Sequence, residues 1–222
     1  MDHCFKSSNY VNVIVADKQE HLQYLNMEDA ITHCTKGIGV WQWASNDAGM
    51  EPDLVMASCG DVSTQEALAA TALLRQYLPE LKIRFINVVD MFKLIPNGYH
   101  PHGLTNKEYT SLFTDDKPVV FNFHSYPWLI HRLTYSRPGQ QLMHVRGYKE
   151  KGNIDTPLEL AIRNEADRYS LAMLAIDELS SKLGNKGAEP RQKLLDERIR
   201  SLNYAYETGL DPEHYNDWRW PY

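Results

Sequence analysis

Four groups of residues have the types and spacing to do chemistry. The first is Lys18, which follows the short apolar run Val11–Ala16. By default such a lysine is a solvated loop charge, but an ammonium held at a strand end also suits a phosphate group. The second is Ser58-Cys59-Gly60-Asp61-Val62-Ser63, a strand-turn-helix junction whose glycine turn and helix N-terminus can hold an anion. It lacks the glycine spacing of a dinucleotide fingerprint and the lysine of a P-loop. Asp61 and Glu66 already bring negative charge there, and Ser63 with Glu66 spells a capping box, so a structural cap is the favoured reading. Third come the histidines: His100-Pro101-His102, His124, His131 and His144. Their spacing is not H-E-x-x-H and no CxxC accompanies them, so satisfied loop or interface histidines are expected, with a general-base role for His124 left open. The fourth is the basic loop Arg146-Gly-Tyr-Lys149-Glu-Lys151, which suits an anion or the acidic remainder of the molecule. No nucleophile-elbow sequence supports Ser-His-Asp or Cys-His catalysis, and no catalytic residue is assigned.

These residues need elements to position them. Val11–Ala16 reads as a short strand, with Asp17, Lys18, Gln19 and Glu20 directly after it. Asn26 is an N-cap for a short helix to Lys36, whose Met27, Ala30, Ile31 and Cys34 share one face. Val40–Ala44 alternates, as an edge strand or an irregular segment would, and polar Ser45–Pro52 suits a linker. From Asp53 the pattern becomes regular. Leu54–Ser58, Lys82–Val89, Pro118–Phe123 and Leu142–Tyr148 are strands rich in apolar side chains, and the third is apolar enough to be covered on both faces. A helix from Ser63 to about Leu78, a short one at Asn106–Phe113 and another around Trp128–Leu133 separate them. Strands alternating with helices specify an α/β fold: a three-layer sandwich around a mostly parallel sheet of about five strands. The chain closes with extra C-terminal helices, opened by the Thr156-Pro157-x-Glu159 cap and ended at Gly209. Trp218, Trp220 and Tyr222 are expected to pack on this body.

With 222 residues and 43% apolar content, the chain can bury a substantial core. A net charge of −6 argues against nucleic acid as a partner, which wants a basic face. Cys4, Cys34 and Cys59 are odd in number and scattered, as free thiols of a reducing compartment are. No apolar run approaches the roughly 20 residues of a membrane span, and MDHCFKSS is no secretory signal. A cytoplasmic protein without membrane partners is expected.

The runs FNFHSYPWLIHRLTY and HVRGYKEKG, with NYVNVIVADKQ, ASCGDVSTQEALAA and the DWRWPY tail, closely resemble the C-terminal domain of the phosphoketolases. The resemblance covers nearly the whole chain and implies a domain like the C-terminal domain of transketolases. It implies further that residues 1–25 are the tail of a preceding pyrimidine-binding domain, 26–52 a connecting segment and 53–222 the C-terminal domain. Phosphoketolases are thiamine diphosphate and Mg enzymes that split xylulose 5-phosphate or fructose 6-phosphate with inorganic phosphate, giving acetyl phosphate. By that resemblance Lys18 binds substrate phosphate, although Asp17 stands where the family pattern has glycine. The acidic GDG…N-type cofactor motif is missing, since Gly60-Asp61 runs on into Val62 and a helix. The cofactor and metal are therefore expected in other parts of the full-length enzyme, none being bound by this fragment. The implied partners are those N-terminal domains and a second subunit, and the fragment is expected to be inactive by itself. A transketolase domain and a free-standing module for an anionic small molecule are the alternatives.

Overall fold

The computed structural model describes residues 5, 6, 8, 9, 11, 13–16, 20–149 and 151–222. Its centre is a five-stranded sheet in the order β1-β3-β2-β4-β5: Ile38–Val40, Ile83–Val88, Leu54–Cys59, Val119–Phe123 and Met143–Gly147. β2, β3, β4 and β5 run parallel, and β1 joins β3 antiparallel at the edge. Every residue of β2 and β4 is buried, which is why their sequences are continuous apolar runs. β5 alternates instead, with His144 and Arg146 half-exposed.

Helix α1 (Met27–Lys36) precedes β1, and α2 (Asp61–Tyr77) connects β2 to β3. α3 (Asn106–Phe113) and α4 (Pro127–Thr134) flank β4 in sequence. Then follow α5 (Pro157–Arg163), α6 (Arg168–Glu178), α7 (Ser180–Leu183), α8 (Ala188–Thr208) and α9 (Glu213–Asn216). Two cores result, one per sheet face. Leu54, Met56, Phe85 and Val120 meet α2, α6 and α8 on one side. Val55, Ala57, Ile86 and Phe121 meet α3 and α4 on the other. The expected three-layer sandwich with a five-stranded, mostly parallel sheet is therefore the observed fold. The crossover through α2 leads from β2 toward one edge and that through α4 from β4 toward the other, so the connections diverge between β2 and β4.

Several local expectations change. Residues 11 and 13–16 form no strand and lie exposed. Ser45–Asp47 is no loose linker. Asn46 bonds the Ile83 carbonyl and amide at 3.0 and 2.6 Å, and Ser45 Oγ accepts from Phe85 N at 2.9 Å, so the segment extends the edge of β3. α2 starts at Asp61 behind Gly60 with no side-chain cap, two residues before the expected capping box. Glu66 is drawn away by Arg168: Nη2 and Nε donate to its carboxylate at 2.6 and 3.1 Å, and the Arg168 backbone N at 2.8 Å. Both residues are buried, and with the helix already begun at Asp61, Ser63 and Glu66 lie inside it and not at its N-cap. The box expected at Thr156/Glu159 does form, an unanticipated one forms at Thr105/Glu108, and Asn26 caps α1 through Asp29 N. The tail packs on this body: Trp220 meets Trp43 edge-on at 5.4 Å, and the Arg75 guanidinium lies 4.0 Å from the Tyr222 ring centre.

Candidate functional site

In an open α/β sheet, ligands sit in the crevice beyond the strand C-termini where the connections diverge. Here that place is the gap between the ends of β2 and β4, and it opens into a cleft of about 620 Å³. Gly60 makes it possible. Its φ of +108° turns β2 directly into α2, and a Cβ there would sit 2.5 Å from His124 Cβ, so no other residue fits. His124, the first residue after β4, donates from Nδ1 to the Cys59 carbonyl at 3.3 Å, which holds its ring across the glycine.

A buried hydrogen-bond chain forms one wall. His33 Nε2 and Asn87 Oδ1 are 2.8 Å apart, Asn87 Nδ2 donates to Thr64 Oγ1 at 3.1 Å, and Thr64 Oγ1 donates to Ser58 Oγ at 3.1 Å. The Asn87 amide nitrogen faces two hydroxyls and its oxygen faces His33, and since that oxygen can only accept, Nε2 of His33 is the donor. The chain ties α1 to β3, α2 and β2 across more than fifty residues of sequence. Cys59 also lines the cleft, but burial, with the Asp61 charge adding to it, pushes its thiol up to about 12. It stays protonated at neutral pH and is no nucleophile. The cleft thus offers oriented hydroxyl and amide groups, imidazoles and the Asp61 carboxylate, an arrangement for binding and bracing.

The residues singled out from sequence come together only in part. Lys18 and Asp17 lie outside the described residues. His124 and the Gly60 turn meet as described. His102 Nδ1 is 2.7 Å from Asp90 Oδ2, and His100 stacks on Phe92 with ring centres 4.2 Å apart. His144 lies 3.1 Å from a Glu178 carboxylate oxygen, off hydrogen-bond geometry. Burial, with His144 nearby, pulls the His131 pKa below its ordinary value. Among the described residues no group of three or more His, Cys, Asp or Glu is arranged to hold a metal ion. A magnesium diphosphate needs several oxygen ligands on one ion. The α2 terminus offers Asp61 in its first turn and Val62 beside it, so the described residues do not fit that group. Arg146 of the basic loop pairs with Glu165 at 3.0 Å, and Lys149 N donates to Asn164 Oδ1 at 3.0 Å, tying the loop to its own domain.

Sequence reasoning missed the Ser58–Thr64–Asn87–His33 chain and the Glu66–Arg168 pair. Nothing in their spacing signals either one, since each joins residues distant in the chain. It also missed Arg137, buried under the loop after β3, where Nε and Nη2 donate to the carbonyls of Leu94 and Ile95 at 2.8 and 2.7 Å.

The family model for the XFP C-terminal domain matches residues 18–220. The chain belongs to the family of phosphoketolase C-terminal domains. A probable phosphoketolase of Thermosynechococcus vestitus is 64% identical over 221 residues, which are 100% of this chain and 27% of that protein. One from Methylococcus capsulatus is 61% identical over 99% of this chain and 27% of its own length. The chain thus spans about a quarter of the curated relatives it matches. A solved transketolase from Leishmania mexicana aligns over 68% of this chain and 19% of its own, at 12% identity and a TM-score of 0.45. Among the described residues no helix is long and apolar enough to cross a membrane.

Proposed function

We propose that this phosphoketolase C-terminal domain works as part of a cytoplasmic enzyme that cleaves xylulose 5-phosphate or fructose 6-phosphate with inorganic phosphate, giving acetyl phosphate and a shortened aldose phosphate. The observation that carries the reading is whole-chain identity of 54–64% to proteins named probable phosphoketolases, of which it covers just over a quarter. Thiamine diphosphate and Mg, which supply the carbanion chemistry when bound, would sit in the remaining domains. The poor fit of the described residues to a magnesium diphosphate supports that division of labour. Residues 1–25 would end the preceding pyrimidine-binding domain, and 53–222, with β1 and the core residues Trp41 and Ala44 of the expected connecting segment 26–52 built into the same domain, would brace the neighbouring domains and a second subunit. Within residues 1–25, Lys18 would hold a substrate phosphate by charge.

Two measurements test this. In the full-length enzyme, Lys18→Ala should raise KM for phosphate or sugar phosphate by about tenfold or more, the loss of one charge-assisted contact; unchanged kinetics would remove the assignment. The 222-residue chain alone should form no acetyl phosphate, and detectable product would overturn the role given to it. Tight calorimetric binding of a sugar phosphate to the chain alone would instead favour a free-standing anion-binding module.

A further inference from the structure

The two poles of the sheet differ in what they show to water. The segments leading into the strands, residues 47–53, 79–82, 114–118 and 139–142, expose charge at Glu51, Glu80, Asp115 and Asp116, and Met50 is their one exposed large apolar side chain. The opposite pole, past the strand C-termini, exposes Val62 at the start of α2, Val89 and Phe92 after β3, and Trp128 at the start of α4. α1 lies across this same pole, since Met27, Ala30, His33 and Cys34 line one cleft with Gly60 and His124. Its apolar side chains are left uncovered. Polar His33 faces the sheet and bonds Asn87, while Met27 and Ile31 are 76% and 60% exposed and no residue of the helix is buried. An amphipathic helix ordinarily hides its apolar stripe, and a contiguous exposed apolar surface marks a contact site.

Resting on the reading above that the chain is part of a longer enzyme, we propose that this pole is covered by the preceding domain of the same polypeptide. That domain would pack directly on the exposed Met27 and Ile31 of α1, on Val62, Val89 and Phe92, and on Trp128. Two observations select this occupant over others. Residues 13–15 and 21–25 line the cleft at this pole, so the polypeptide approaches the domain here. The relatives carry nearly three quarters of their length outside the matched region, enough chain to form the covering domain.

Cys34, an exposed thiol on α1 within this surface, reports on it. The 222-residue chain and the full-length enzyme are alkylated with N-ethylmaleimide and the modified peptides mapped by mass spectrometry. Cys34 should react readily in the short chain and about tenfold or more slowly in the full-length enzyme, at a rate independent of protein concentration. Equal rates would overturn the proposal. Protection that vanishes on dilution would also overturn it, assigning the surface to a second copy. Acetyl phosphate formation by the same full-length sample reports separately on the family activity, so either reading can fail without the other.

Discussion

Arg168→Met tests what fastens the C-terminal helices to the sheet layer. Arg168 and Glu66 are 3% and 0% exposed, and their contact is bidentate at 2.6 and 3.1 Å. Burial opposes the guanidinium charge, but the Glu66 carboxylate outweighs it and holds the Arg168 pKa above its ordinary value. The same guanidinium lies 4.7 Å from the Tyr215 ring centre and 5.7 Å from that of Trp218, so it also pins α9 and the tail. Removing it strands a carboxylate in a dry site, which costs about 3–5 kcal/mol. The loss of the ring contacts adds about 1 kcal/mol. Glu66→Gln in the same chain removes the stranded charge, while its amide oxygen can still accept the backbone N–H of position 168, now at 2.8 Å from Oε2. The double variant should therefore lose only about 1–2 kcal/mol. Urea denaturation of the four proteins, with slopes compared to check that the transition stays two-state, gives the cycle. A loss below about 1 kcal/mol for Arg168→Met, or a double variant as unstable as the sum of the singles, would refute the argument.

Gly60→Ala should destabilise by about 2–4 kcal/mol, from the positive φ together with overpacking against His124. Adding His124→Ala should not rescue it in thermal melts, because the 2.5 Å approach is to Cβ, which alanine keeps. Asp167 is buried and caps α6, accepting from Tyr169 N and Ser170 N at 3.0 Å each. Burial pushes its carboxyl above the ordinary value, against the lowering effect of the Ser170 bonds. The folded state then keeps the proton to higher pH than the unfolded chain does. Its stabilising effect is whole below the unfolded value of about 3.9 and is lost as pH rises through the folded one. Asp167→Asn keeps the cap without the charge. Urea midpoints should show the wild type losing ground to this variant from pH ~4 upward, and a gain would contradict the burial argument.

The sequence determined the elements and their layering. Continuous apolar runs at Leu54–Ser58 and Pro118–Phe123 require cover on both faces, and proline, glycine and capping residues set helix ends at Asn26, Thr156 and Gly209, because those signals are local. The phosphate-binding role given to Lys18 by resemblance falls outside the described residues, so only the crevice of the candidate site can be compared. There Gly60 and His124 were legible as residues ending strands, but not their contact. Tertiary structure decided that contact, the His33–Asn87–Thr64–Ser58 chain and the capture of Glu66 by Arg168, whose partners lie up to 102 residues apart. It also decided that the apolar face of α1 borders the cleft and stays unburied. Period and propensity fix which residues share a face, but only the packing of the whole sheet fixes which way that face points.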